Sequence, residues 1–267
     1  MMITNIAHRG ARLIAPENTL EAARMAYQFG SSMWELDVQY TADKQLIVIH
    51  DDTLERTSDI HLFSAYKHRH PWRVCDFTAS EIQLLNSGYS FQNHAKDIPF
   101  KKYQAPLLDE AIHFSKDIGL GINIEIKDHK GLPGHDTIAS QVYDTAKKHD
   151  YLPQILFSSF NINYLFQIRA IDADARIAVL MDTHDHNILD LLLKINAQAY
   201  HPYWELIDQE TIDLLHQQGI LVNVWTVNSR IDMIRLIKIG VDGIITDNPA
   251  LLDSLGGELE LGSDLDC

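Results

Sequence analysis

The sequence predicts an α/β chain closed into a (β/α)8, or TIM, barrel with a small insertion after its second strand. Three observations lead there. Eight short apolar runs alternate with amphipathic segments over 267 residues, a length that such barrels reach undivided. A ninth apolar run follows the second too closely for a parallel crossover. Gly119, Gly219 and Gly240 stand where helices should stop.

The first strand is "ITNIA" (3–7), followed by a loop and the helical stretch 18–30, "NTLEAARMAYQFG". Asn18 reads as its N-cap with Glu21 three residues on, and Gly30 as its terminator. "SMWELDV" (32–38) is the second strand. Six residues, 39–44, separate it from "QLIVIH" (45–50), so the two should form an antiparallel hairpin turning at "TADK" (41–44). That pairing sets residue 35 opposite 50 and 37 opposite 48, bringing Glu35, Asp37 and His50 together at one end of the ribbon. Strands are then expected at 120–126, 154–159, 176–181, 197–201, 221–227 and 241–246, with helices near 108–118, 136–149, 161–172, 185–195, 208–218 and 230–239.

Residues 51–106 are polar, rich in histidine and aromatics, and too long for a plain loop, so they read as an insertion within one domain spanning 1–255. Its "HRHPW" cluster (68–72) reads as surface. Residues 256–267 read as an acidic tail that frays. Apolar residues make up 46% of the chain and charged residues 22%, ordinary globular values. The net charge of −15 argues against a nucleic-acid partner, which needs a basic face. It leaves room for a phosphate substrate only where local cations reverse the field. No run approaches the roughly 18 apolar residues of a membrane span. "MMITNIAHRG" lacks the layout of a secretory signal, and Cys75 and Cys267 suggest no disulfide framework. A cytoplasmic location is expected, and a homodimer is left open.

Barrel active sites lie at the C-terminal ends of the strands. There the chain places His8, Arg9, Glu35, Asp37, His50, Asn123, Glu125, Lys127, Ser158, Phe160, His201, Asn223, Trp225 and Asp247. Glu35, Asp37 and Glu125 would share one mouth, and like charges that close need protons or a cation. Oxygen donors without cysteine suit one hard divalent ion, Mg²⁺, Ca²⁺ or Mn²⁺, and ion pairing to Arg9 and Lys127 is the alternative. His8 and His50 arrive from different strands and can divide general-base and general-acid work. Arg9 and Lys127 can hold phosphate oxygens, Arg9 bidentately and Lys127 as a point charge. Phe160 and Trp225 offer an apolar wall for an alcohol. His201 serves equally well as a hydrogen-bonded structural group.

Together the motifs "AHRG" (7–10), "PENTLEA" (16–22), "ELDVQYTAD" (35–43), "VIHDDTLERTS" (48–58), "NIEIK" (123–127), "SSF" (158–160), "VWTVN" (224–228) and "GVDGIITDNP" (240–249) resemble the glycerophosphodiester phosphodiesterase family, in its order, over residues 3–252. The resemblance implies a phosphodiesterase barrel that cleaves glycerophosphodiesters to an alcohol and glycerol 3-phosphate. It implies Glu35, Asp37 and Glu125 as metal ligands, His8 and His50 as the acid/base pair, Arg9 and Lys127 on the phosphate, and Glu17 as a supporting residue. Departures fall mostly in the insertion: "DIHLFSAYKHRHPWRVCDF" replaces a glycine-rich turn, Asn86-Ser87-Gly88 a "DAG"-like triplet, and Lys44 the glycine of the hairpin turn. They leave the leaving alcohol open. Competing readings are a phospholipase D or lysophospholipase D acting on a lipid phosphodiester, and a barrel that only binds a phosphorylated metabolite.

Overall fold

A computed structural model describes residues 3–94 and 101–263, with side chains described as far as Gly256 and His94 excepted. It contains β1 (Thr4–Ala7), α1 (Leu20–Gln28), β2 (Met33–Tyr40), β3 (Leu46–Val48), α2 (Ala79–Gln83), α3 (Tyr89–His94), α4 (Leu108–Ile118) and β4 (Gly121–Ile126). These are followed by α5 (Ile138–Lys148), β5 (Ile155–Ser159), α6 (Ile162–Ile171), β6 (Ile177–Met181), α7 (Ile188–Ile195) and β7 (Ala199–Pro202). The chain then forms α8 (Gln209–Gln217), β8 (Leu221–Val224), α9 (Arg230–Lys238), β9 (Gly243–Thr246) and α10 (Pro249–Ser263). The strand order β1-β9-β8-β7-β6-β5-β4-β2 closes on itself through β1–β2, and every pair in that ring is parallel. This is the (β/α)8 barrel the sequence predicts. α10 extends into the stretch read as a tail, and residues 264–267 and 95–100 lie outside the described residues.

Strand alternation sorts the two surfaces of the barrel. In β2, Trp34, Leu36, Val38 and Tyr40 join the main core under the helices. The intervening Glu35, Asp37 and Gln39 are at most 3% exposed and face the barrel interior. At the N-terminal end of the interior, Leu156, Ala178 and Ala199 pack with Met33 into a small apolar plug. The opposite, C-terminal end gathers the charged side chains of the interior, with Leu180, Ile245, Phe160 and Trp225 beside them.

β3 pairs antiparallel with β2 as expected, but the register is Val38↔Val48, Gln39↔Ile47 and Tyr40↔Leu46, one residue away from the predicted pairing. The turn explains the slip. Thr41 N–H donates to the Gln45 carbonyl at 3.0 Å, enclosing three loop residues rather than two, and Lys44 takes φ +56°. A three-residue hairpin loop ends in a left-handed residue, which lysine adopts here in place of glycine. β3 has no polar face because both faces are covered. Leu46 and Val48 join the main core. Ile47 and Ile49 join a second core with Leu54, Ile60, Trp72, Val74, Phe77, Ile82, Leu85 and Ala105 of the inserted segment.

α1 also corrects the sequence reading. Its N-cap is Thr19, whose hydroxyl accepts from Ala22 N–H, and Asn18 lies outside the helix at φ +55°. Asn18 is used elsewhere, on the carboxylate of Asp37.

Candidate active site

A cleft of about 140 Å³ opens at the C-terminal end of the barrel, lined among others by His8, Arg9, Glu35, His50, Asn123, Glu125, Lys127, Phe160 and Trp225. Of the residues assigned from sequence to acid/base work, the metal, the phosphate or the apolar wall, all except Asp37 line it, whereas Glu17, Ser158, His201, Asn223 and Asp247 do not. Asp37 lies just beneath, 1% exposed, its carboxylate within 4.8 Å of those of Glu35 and Glu125. β2 supplies two of these acids and β4 the third, with Asp37↔Glu125 in register.

The loop leaving β1 brings cations to them. Arg9 and Gly10 both adopt positive φ, +54° and +79°, which turns the chain sharply and aims the Arg9 N–H at Glu35 Oε2, 2.8 Å away. The glycine is required sterically. A Cβ on Gly10 would lie 2.5 Å from Ala22 Cβ and 2.6 Å from the Ala22 carbonyl carbon. Gly10→Ala therefore combines left-handed strain with overpacking and should cost about 2–4 kcal/mol of stability. The check is the denaturant midpoint, and an unchanged midpoint would contradict the account.

The Arg9 Nε stands 3.4 Å from Asp37 Oδ2, while Lys127 Nζ lies 2.7 Å from Glu125 Oε1 and 3.5 Å from Asp37 Oδ1. Asn18 Nδ2 donates to Asp37 Oδ2 at 2.8 Å. The acids titrate in opposite directions. Burial raises the carboxyls of both Asp37 and Glu35, but Lys127 and then Arg9 bring Asp37 down to about 2. Glu35 is pushed well above the ordinary range by burial and by its neighbours Asp37 and Glu125. Two cations therefore do not neutralise three acids, and the surplus must be met by a proton or a further cation. Glu35 Oε1 and Asp37 Oδ1 are buried without hydrogen-bond partners. Orphaned oxygens beside three clustered carboxylates fit a hard divalent cation.

His50 reaches the cleft although it lies beyond β3. The Gln39 amide donates to the carbonyls of Ile49, His50 and Asp51 at 3.2, 2.8 and 2.8 Å, bending the chain end over the mouth. Each histidine is tied at Nδ1: His8 to Asp247 Oδ1 at 2.6 Å and His50 to Asp51 Oδ1 at 2.7 Å. A carboxylate accepting from Nδ1–H fixes the tautomer and leaves Nε2 as the acceptor. Burial lowers the His8 pKa against the opposing pull of Asp247, a shift that favours the neutral imidazole.

Phe160 and Trp225 meet edge to face at 5.5 Å, and Tyr203 also meets Trp225 edge to face, at 5.7 Å. His201 is fully buried, with Nε2 3.0 Å from Asn223 Nδ2, and burial depresses its pKa to about 3. It is a neutral interior group. Asn123 is also fully buried, with both amide atoms unpartnered. Sequence reasoning named Asp247 as a strand end without giving it a role, and it passed over Gln39, Asp51 and Asn18 as partners. The adjacency of Asp51 to His50 was the available signal.

A closed barrel whose mouth gathers an acidic cluster, flanking cations and two carboxylate-oriented imidazoles fits a phosphoric diester hydrolase, and the family match places the chain in that class. The model of the Glycerophosphoryl diester phosphodiesterase family matches residues 8–251, and the chain belongs to that family. A glycerophosphodiester phosphodiesterase of Caldanaerobacter subterraneus subsp. tengcongensis is 33% identical over 250 residues, covering 94% of this chain and 96% of its own. The structure of an Oleispira antarctica phosphodiesterase in complex with the product sn-glycerol-3-phosphate superposes with a TM-score of 0.82 at 25% identity, covering 95% of this chain and 96% of that one. A crystal structure from Silicibacter pomeroyi shares the fold, with a TM-score of 0.83 at 24% identity, covering 97% of this chain and 94% of that one. No helix among the described residues is long and apolar enough to cross a membrane.

Proposed function

We propose that this protein hydrolyses glycerophosphodiesters to an alcohol and sn-glycerol 3-phosphate, with His8 and His50 as the acid/base pair and one divalent ion held by Glu35, Asp37 and Glu125. The observation that carries the reading is the convergence of both imidazoles and the acidic cluster on one cleft. The Oleispira relative, bound to sn-glycerol-3-phosphate, supports the same product here. Mg²⁺, Ca²⁺ and Mn²⁺ all suit an all-oxygen donor set.

When bound, the ion supplies Lewis-acid stabilisation of charge on the phosphoryl oxygens. The protein's own groups do the rest. Arg9 and Lys127, both in the cleft lining, offset the negative field of the whole chain and hold the phosphodiester. One imidazole removes a proton from the attacking oxygen and the other protonates the departing alkoxide. The attacking oxygen is either that of water or that of the substrate's own glycerol hydroxyl, whose cyclic phosphate water then opens. Nε2 is the working nitrogen in each, because Nδ1 is engaged by Asp247 or Asp51. Phe160 and Trp225 form an apolar edge of the cleft, against which carbon atoms of the substrate pack.

Product analysis on glycerophosphocholine, glycerophosphoethanolamine, glycerophosphoinositol and a lysophospholipid tests the reading. The expected result is glycerol 3-phosphate plus the free alcohol from the water-soluble diesters. Release of head group from the lysophospholipid alone would transfer the activity to lipid substrates, and transient glycerol cyclic phosphate would identify the attacker as the substrate's own hydroxyl.

A further inference from the structure

Both imidazoles are tied at their outer nitrogens, and the carboxylates that tie them are tied in turn. Asp51 is gripped by the guanidinium of Arg56 through Nε and, at 3.0 Å, through Nη2. The same guanidinium reaches Glu17, Nη1 to Oε2 at 2.9 Å and Nη2 to Oε1 at 2.6 Å. Glu17 also accepts from Arg9 Nη1 at 3.0 Å and pairs with Arg12 Nη2 at 3.0 Å. Arg12 extends to Asp247, 3.7 Å from Nη1, and Asp247 holds His8. The path His8–Asp247–Arg12–Glu17–Arg56–Asp51–His50 therefore alternates acid and base without a gap, and Glu17 sits at its centre.

We propose that Glu17 is a positioning residue that sets the orientation of His8, His50 and Arg9 together, and that Arg56 of the inserted segment is its link to His50. This rests on the acid/base roles assigned above to the two histidines.

Three arginines converge on one carboxylate, and they hold Glu17 ionised, at about 2, although burial works against it. Orientation rather than stability is the function of such a network. Arg56 is 45% exposed and Arg12 27%, and ion pairs at that exposure contribute little to folding. The inserted segment fixes Arg56 independently, because the Ser90 hydroxyl donates to the Arg56 carbonyl. The barrel thus obtains half of its histidine support from residues outside the βα repeat. The two arms differ in strength. Arg56 forks onto both of its acids, whereas Arg12 meets Asp247 at 3.7 Å and Asp247 has additional support from Asn228 Nδ2 at 2.9 Å.

The test uses Glu17→Gln, Arg56→Gln and Arg12→Gln in the full chain with the divalent ion present. Outer partners of site groups typically contribute about 10- to 100-fold. Arg56→Gln should lower kcat by about tenfold with KM unchanged, Arg12→Gln by less, and Glu17→Gln by about a hundredfold with a raised KM, because Arg9 also loses its partner. Melting temperatures of Arg56→Gln and Arg12→Gln should stay close to that of the parent, because both side chains are substantially exposed. If Glu17→Gln fails to fold, the two surface arginine variants still decide the matter. The discriminating readout is the double variant. Arg56→Gln should cost nothing further in a His50→Ala background, whereas a merely structural contribution would subtract again. Parental kcat in folded Arg56→Gln, or full additivity with His50→Ala, overturns the proposal. Parental turnover in His8→Ala and His50→Ala would instead remove the acid/base reading beneath it.

Discussion

Alanine at His8 or His50 lowers kcat by an expected 10²–10⁴-fold, roughly, the range that a positioned general acid or base contributes. The geometry argues for an effect of this size in both variants. Each imidazole lines the same cleft and each is oriented through Nδ1 by its own carboxylate, Asp247 for His8 and Asp51 for His50, so neither can substitute for the other. KM should move little, since Arg9 and Lys127 remain to hold the phosphate. The leaving group separates the two roles. With a diester of a low-pKa alcohol, which departs without a proton, the acid's variant recovers most of its turnover and the base's variant does not. Near-parental kcat in both alanine variants would falsify the pairing.

The second large effect concerns the acidic cluster. Chelation should reduce turnover to background, and adding back Mg²⁺, Ca²⁺ or Mn²⁺ in turn should restore it to different extents. Lewis-acid stabilisation of several kcal/mol corresponds to about a thousandfold or more in rate. Asp37→Asn should be as damaging as chelation and should not be rescued by added metal. Asp37 is 1% exposed, is held by Asn18, and stands within 3.5 Å of both Lys127 Nζ and Arg9 Nε. Its loss leaves those buried cations without their shared counter-charge as well as weakening the ion site. Calorimetric titration of the divalent ion into parent and variant reads binding without reference to activity. Binding at parental affinity to Asp37→Asn, or full turnover after exhaustive chelation, would remove the ion from the cluster.

The barrel and most of the site residues are local properties of the chain, and that is why they could be read from it. A period of two in β2 places Glu35 and Asp37 on the face opposite Trp34, Leu36 and Val38 whatever the rest of the molecule does. Short apolar runs separated by amphipathic helices admit few architectures beyond a parallel sheet closed into a barrel. The spacing of "AHRG", "ELDVQY" and "NIEIK" then brings histidine, cations and acids to the strand ends. Turn chemistry was less legible. Whether the β2–β3 loop holds two residues or three depends on Lys44 accepting a left-handed conformation, a choice of small energy that shifts the register by one. The helix cap raised a similar ambiguity, since both Asn18 and Thr19 can cap a helix and only the demand of Asp37 for a donor assigns Asn18 elsewhere.

By itself, then, the sequence determined the alternation of strands and helices, the inward acids, the two histidines and the cations beside them, because each follows from periodicity and side-chain chemistry within a few residues. Tertiary structure alone decided how those groups are held. Gln39 catches the carbonyls of residues 49–51, Asp247 crosses 239 positions to reach His8, and Arg56 leaves the inserted segment to join Glu17 and Asp51. Such contacts form between residues distant along the chain, where no local preference selects the partner and only closure of the barrel, with the insertion packed on its hairpin, brings the charges within reach.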